Sequence, residues 1–195
     1  MQISPNYWTE NWEQLNLSLD SPEETWKKAI IIFQDRIEGR YFNYIDQLDR
    51  ETFSGFAVMA LSCLLIETLQ QFIEGVDSTP SGKSGEYFIQ FLTKTSFNEF
   101  FDIDKARIFY KQIRCGILHQ AEVEGSSLIR TDSSLSLAQF TEDRRGLIIN
   151  RRSFYHKLKE VFNDYVGLLS DGSNAEIRRN FIYKMNYICR LPNLA

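Results

Sequence analysis

The sequence predicts a mainly α protein, a helical bundle with a small β insertion around residues 125–150. Three observations point there. Apolar residues recur at three- and four-residue steps over most of the chain. Between His119 and Arg151 that period gives way to short apolar runs separated by polar turns. Of the 195 residues, 43% are hydrophobic, with 15 Phe and 9 Tyr, enough for a sizeable aromatic core in one domain.

Each element has its own signal. Ser21-Pro22-Glu23-Glu24 reads as a helix start, with Ser21 as cap, Pro22 in the first turn and Glu24 completing a capping box. Trp26, Ile30, Phe33, Ile37, Tyr41, Tyr44 and Leu48 then carry an amphipathic helix over about 22–49. A second helix is expected over about 52–74, with Phe56, Met59, Cys63, Ile66, Gln70 and Ile73 along one side and Gly75 as its C-cap. Residues 76–85 are a loop by composition, and a short helix follows over 86–94. The next helix begins near Asp104 and turns Ala106, Phe109, Tyr110, Ile113 and Ile117 inward. Ser127 to Thr131, Ser136 to Phe140 and Gly146 to Asn150 read as short strands. Phe154, Leu158, Val161, Tyr165 and Leu168 restore the helical spacing. A last helix over about 174–190 carries Ile177, Phe181, Met185 and Ile188, with Asn174 as its cap. The expected organisation is one domain over 1–195: core helices in 22–120, a β insertion in 121–150 and C-terminal helices in 151–190.

Composition narrows the function classes. The longest apolar run, around Ala60 to Ile66, is broken by Ser62 and stops at Glu67, so no membrane association is expected. The first residues lack the basic-then-apolar pattern of a secretory signal. Cys63, Cys115 and Cys189 are odd in number and far apart, which argues against a disulfide framework or a metal site and fits the cytoplasm. The net charge of −4 hides an asymmetry. Residues 1–104 hold 7 basic and 17 acidic side chains, and residues 105–195 hold 15 and 9. Either the second half presents an anion-binding face, or the two halves neutralise each other in the fold.

Gly82-Lys83-Ser84 resembles the end of a nucleotide-binding loop, but Asp77 stands where the first glycine is needed and a helical pattern precedes it. Arg107, Lys111 and Arg114 lie at i, i+4 and i+7, one stripe of an α-helix at ~100° per residue. The same helix ends in Arg114-Cys115-Gly116-Ile117-Leu118-His119. An arginine holds a phosphate as a permanent cation, and a histidine moves a proton near neutral pH. In an ideal helix the two are ~140° apart and ~7.5 Å along the axis. Unwinding at Gly116, or a second copy of the helix facing the first, would bring them together. Glu67, beside Leu64-Leu65-Ile66, is a candidate to be partly buried and to seek a cation. Arg144, Arg145, Arg151 and Arg152 flank the third strand, near Tyr155. His156 sits among Arg151, Arg152, Lys157 and Lys159, a setting that suits phosphate contact better than proton transfer.

The spacing Arg114-x4-His119, near the end of a helix in an α bundle of this size, resembles the HEPN superfamily (higher eukaryotes and prokaryotes nucleotide-binding). The resemblance covers about 22–120 and extends to 151–190. It implies a metal-independent endoribonuclease without a cofactor, a homodimer, and a role as a toxin or in antiviral defence alongside an antitoxin or complex partner. Arg114 and His119 take the catalytic positions, and Glu67 takes that of an acidic residue orienting the arginine. RNA would be held by Arg107, Lys111, Arg144, Arg145, Arg151, Arg152 and His156. The chain departs from the family at Cys115, where the residue is often polar. It also departs at Ala121, where the toxins paired with nucleotidyltransferase antitoxins carry tyrosine. The alternative is a catalytically silent module of the same fold that binds RNA or dimerises.

Overall fold

A computed structural model describes residues 1–192. The chain is mainly helical with one three-stranded sheet. Its elements are α1 (Thr9–Glu13), α2 (Glu23–Ile37), a π turn (Glu38–Phe42), α3 (Asn43–Leu48), α4 (Gly55–Glu74), α5 (Ser84–Lys94) and a 3₁₀ turn (Ser96–Glu99). Then come α6 (Ile103–Ile108), a second π turn (Phe109–Arg114), α7 (Cys115–Gln120), β1 (Leu128–Arg130), β2 (Ala138–Phe140), β3 (Leu147–Asn150), α8 (Arg151–Ser170) and α9 (Ala175–Cys189). They divide into two compact units. One takes Met1–Tyr44, Gln71–Thr79 and the chain from Asn163 onward; the other takes Ile45–Gln70 and Pro80–Phe162.

In the first unit Phe33 is the hub of an aromatic core. Its ring lies 4.7 Å from Phe72, 5.3 Å from Phe181 and 5.9 Å from Tyr165, and Phe181 meets Trp12 edge-on at 5.6 Å. Two buried cations are built into this core with their bonds satisfied. Arg178 lies over Trp26 at 4.3 Å, donates from both terminal nitrogens to the Glu23 carboxylate at 3.2 and 3.1 Å, and donates from Nε to the Leu169 carbonyl at 2.9 Å. Lys184 donates to Gln71 Oε1 at 2.8 Å and to the Asp77 carbonyl. Burial pulls the Lys184 ammonium down to about 8.

The start of α2 differs from the expected capping box. Ser21 is one residue too early: its hydroxyl accepts from the Ser18 N–H at 2.9 Å. Pro22 is the N-cap, with no side-chain cap, and its carbonyl accepts from Thr25 at 2.9 Å. Glu23 and Glu24 in the first turn suit the positive helix end instead. Gly75 closes α4 as expected, at φ +65°. Asn174 occupies the N-cap of α9 but turns its amide to the Leu168 carbonyl at 3.1 Å. Leu168, expected in the apolar stripe of α8, is exposed, and Leu169 is the buried residue there.

The second unit is built on a Phe cluster. Phe109 stacks on Phe154 at 5.1 Å, Phe97 meets Phe154 at 4.9 Å, and Phe101 meets Phe109 edge-on at 5.6 Å. α4 begins at Gly55, three residues later than the pattern predicts, because Phe53 takes a left-handed conformation at φ +62° and the Ser54 hydroxyl bonds back to the Glu51 carbonyl at 2.9 Å. Phe56 is therefore on the first turn and exposed, while Val58, Met59, Cys63, Leu65 and Ile66 are buried. By length and composition α4 is apolar enough to cross a membrane, more so than its broken apolar run predicts, and half of it is buried in the fold.

The sheet has the order β1-β3-β2, with β1 parallel and β2 antiparallel to β3. All three strands fall where the sequence places them. Asn150 ends β3 and leads directly into α8, accepting from the Ser153 N–H at 3.3 Å. In the turn before β3, Asp143 accepts from Thr141 Oγ1 at 2.6 Å, the Arg145 N–H at 3.0 Å and Ser126 Oγ at 2.8 Å. These bonds hold its carboxyl at about 2.

A folded-state pKa below the ordinary value makes the carboxylate stabilising above about 4, and this contribution is lost as pH falls toward 2. Asp143→Asn is expected to lower the melting temperature at pH 7. The gap to wild type is expected to close between pH 4 and 2 in thermal scans.

Candidate active site

The helix from Ile103 to Gln120 changes pitch in its middle. A π turn holds one extra residue, and such turns occur often at functional sites. Here the turn at Phe109–Arg114 has two consequences. The Gln112 carbonyl accepts from the Glu124 N–H at 2.8 Å, outside the helix. The Gln112 side chain then fastens the insertion, donating to the Arg145 carbonyl at 2.7 Å and accepting from Ser127 Oγ at 2.7 Å.

The second consequence is a correction to the basic stripe. Arg107 and Lys111 are exposed, whereas Arg114 is carried off the line by the wider turn, and its side chain is only 14% exposed. It meets Glu67 on α4, with Nη2 donating to Oε2 at 2.9 Å. The same oxygen accepts from Ser84 Oγ at 3.3 Å, at the start of α5. The guanidinium carbon lies 5.6 Å from the Phe88 ring centre and 5.5 Å from that of Tyr110, within reach of both π faces. Gly85 makes room for Tyr110, since a Cβ there would stand 3.0 Å from its ring. Burial pulls the Arg114 guanidinium down and the Glu67 carboxylate outweighs it, so the cation is held above its ordinary value. One donor is left over: Arg114 Nε is buried and has no hydrogen-bond partner among the described residues.

His119 is different in every respect. It lies in the last turn of α7, exposed, and makes no hydrogen bond or ion pair among the described residues. The helix does not unwind at Gly116. It continues to Gln120 and ends on Ala121 in the left-handed conformation at φ +55°. Gly116 serves a close approach instead, because a Cβ there would stand 2.4 Å from the Glu122 carbonyl oxygen of the returning chain. Arg114 therefore points inward and His119 outward, as the ~140° of an ideal helix requires.

The expected RNA-contacting residues fall into two groups. Arg107, Lys111, Arg144, Arg145, Arg152 and His156 are exposed, with Arg144 lying over Phe140 at 4.5 Å. Arg151 is buried, and this removes it from an open RNA-tracking edge. It donates to Ser54 Oγ at 2.9 Å and stands 3.5 Å from Asp49. Around His156 the lysines are spoken for, Lys157 by Glu160 at 2.7 Å and Lys159 by Asp46 at 2.9 Å. Lys157 also stands 3.4 Å from Glu99, and with Lys159–Asp46, Arg114–Glu67 and Arg178–Glu23 this pairs basic residues of the second half with acidic residues of the first.

Sequence reasoning missed Ser84, Phe88, Tyr110 and Gln112. Tyr110 and Arg114 at i, i+4 were a legible pair. Ser84 belongs to Gly82-Lys83-Ser84, which is a loop entering a helix, as its composition predicts. Cys63 is a core side chain, and its burial pushes the thiol up to about 12. Among the described residues no group of three His, Cys, Asp or Glu is placed to hold a metal. No family model, curated protein or solved structure matches the chain.

The Glu67–Arg114 pair is expected to be worth about 1–2 kcal/mol in a double-mutant cycle of Glu67→Gln and Arg114→Gln, since both side chains are largely buried. Each single variant would leave one charge unpaired. Denaturant titrations showing additive effects would mean the pair carries no net coupling.

Proposed function

We propose that the chain is a metal-independent endoribonuclease of the HEPN type, a cytoplasmic toxin or antiviral-defence component that acts as a homodimer and leaves 2′,3′-cyclic phosphate and 5′-hydroxyl ends. One observation carries this reading. An arginine clamped by Glu67 keeps a buried donor unpartnered, and an exposed histidine without a partner ends the same helix. Buried donors are ordinarily satisfied, and a free one next to a fixed positive charge is suited to a phosphate oxygen.

In this mechanism the neutral imidazole of His119 takes the proton of a ribose 2′-hydroxyl. The 2′-oxygen attacks phosphorus, and the P–O bond to the 5′-oxygen breaks. Arg114 stabilises charge on the non-bridging oxygens, with Glu67 fixing its orientation. His119 of the second copy, as imidazolium, gives a proton to the leaving oxygen. The divergence of Arg114 and His119 within one chain supports the dimer, in which the second copy supplies the histidine that faces the first copy's arginine. Arg107, Lys111, Arg144 and Arg145 are exposed to track the RNA backbone.

A second reading has its own support. The Arg114 guanidinium is already bonded to Glu67, which suits a catalytically silent module that binds RNA or dimerises.

His119→Ala is the clean test, since that side chain is exposed and its removal leaves the core untouched. Wild type is expected to cleave mixed RNA in excess chelator. The variant is expected to fold normally, bind RNA as before, and lose roughly two to four orders of magnitude in rate. Equal cleavage by both proteins would exclude His119 from the chemistry. RNA binding with no cleavage by wild type would establish the silent module. Sedimentation is expected to give a dimer at micromolar concentration.

A further inference from the structure

A second basic site lies in the unit of Ile45–Gln70 and Pro80–Phe162, and neither Arg114 nor His119 lines it. It is a cavity of about 530 Å³ between the segment before α4, the end of β1 and the first turn of α8. This is within the usual range for a small-molecule pocket. Arg50, Arg130, Arg151 and Arg152 line it against two carboxylates, Asp49 and Glu51.

Two features of this cavity are unfavourable to the fold on its own. The first is electrostatic. α8 is 20 residues long and opens with Arg151 and Arg152, with no acidic residue in its first turn. Cations at the positive end of a helix destabilise it, and anions are favoured there. Asp49 answers part of this charge, standing 3.5 Å from Arg151 Nε and 3.2 Å from Arg152 Nε. Arg151 Nε and Asp49 Oδ1 are both buried and face each other at 3.5 Å as an ion pair without a hydrogen bond. The Arg151 side chain is 8% exposed and is pinned by Ser54. The second feature is Phe53. It is fully exposed, and it takes φ +62°, a conformation rare for a bulky side chain. The fold gains no burial from this ring and bears its strain.

We propose that this cavity binds a nucleoside monophosphate unit, with the phosphate on the arginines at the start of α8 and the base stacked on Phe53. Both unfavourable features then acquire a partner. Two carboxylates, Asp49 and Glu51, stand against four arginines and a helix N-terminus, so a phosphate supplies the remaining negative charge, and a base covers the exposed ring. The unit has two possible sources, a free nucleotide or the phosphorylated end of an RNA strand. The proposal does not depend on the cleavage mechanism.

Calorimetric titration of the full chain with AMP, adenosine and inorganic phosphate tests it. AMP is expected to bind more tightly than either of its parts. Phe53→Asn removes the ring while keeping a residue that tolerates the left-handed conformation. It should weaken AMP roughly tenfold or more and leave inorganic phosphate unchanged. Arg152→Gln should weaken both and flatten their salt dependence. His119→Ala should bind AMP like wild type, which separates this site from the proposed catalytic one. A 5′-phosphorylated hexaribonucleotide binding more tightly than its 5′-hydroxyl form and than AMP would identify an RNA end as the source. AMP binding more tightly than either oligonucleotide would identify the free nucleotide. AMP binding no better than adenosine or phosphate, or binding Phe53→Asn as well as wild type, would overturn the proposal.

Discussion

The arrangement around Arg114 depends on one wide turn of helix. An α-helical Phe109–Arg114 would leave Arg114 on the solvent stripe with Arg107 and Lys111, and the Gln112 carbonyl would bond inside its own helix. The π turn changes both at once. It carries the arginine toward Glu67, and within the same turn the Gln112 carbonyl and amide side chain hold the β insertion through Glu124, Arg145 and Ser127. The position of the insertion and the burial of the arginine are thus one structural fact. A change that restored regular pitch would disturb both.

This explains which parts of the protein were legible in the sequence. Helices and strands follow from apolar period and turn residues, so the three strands and α5, α8 and α9 fall close to their expected places. The α2–α3 helix lies over its expected span, but the π turn shifts its buried face by one residue: Phe42 and Ile45 are buried, while Tyr44, expected in the apolar stripe, is exposed. One residue decides the cap of α2: the sequence predicts Ser21, and Pro22 takes that position. Glu67 was found because a carboxylate beside Leu64-Leu65-Ile66 needs a partner, and that argument is about burial, which sequence does carry. Phe88 was missed because its relation to Arg114 runs across two helices, and no spacing within either one encodes it.

The charge asymmetry had two readings, and the structure separates them by residue. Arg151, Lys157, Lys159 and Arg178 face carboxylates from the acidic half, so much of the basic excess is internal neutralisation. Of the residues expected to contact RNA, Arg107, Lys111, Arg144, Arg145, Arg152 and His156 are exposed, and Arg151 is not. Exposed ion pairs contribute little to stability. The buried ones matter more, because each fixes where a helix end or a loop must lie.

Arg178 shows what this chain does with an arginine used for packing. All of its named donors are bonded, to Glu23 and the Leu169 carbonyl, and its plane covers Trp26. Arg114 and Arg151 are held by the same means, a carboxylate and a hydroxyl or aromatic neighbours, yet each keeps a buried Nε without a hydrogen bond. Leaving such a donor unsatisfied costs about 1–3 kcal/mol. The fold demonstrably can satisfy a buried guanidinium, so the two exceptions are not a general limit of its packing. Both lie in the unit that carries the exposed histidine, the strained Phe53 and the basic opening of α8. The charge of each is met by a carboxylate, Glu67 or Asp49, so what this unit leaves open is one donor direction on each guanidinium together with the backbone strain at Phe53.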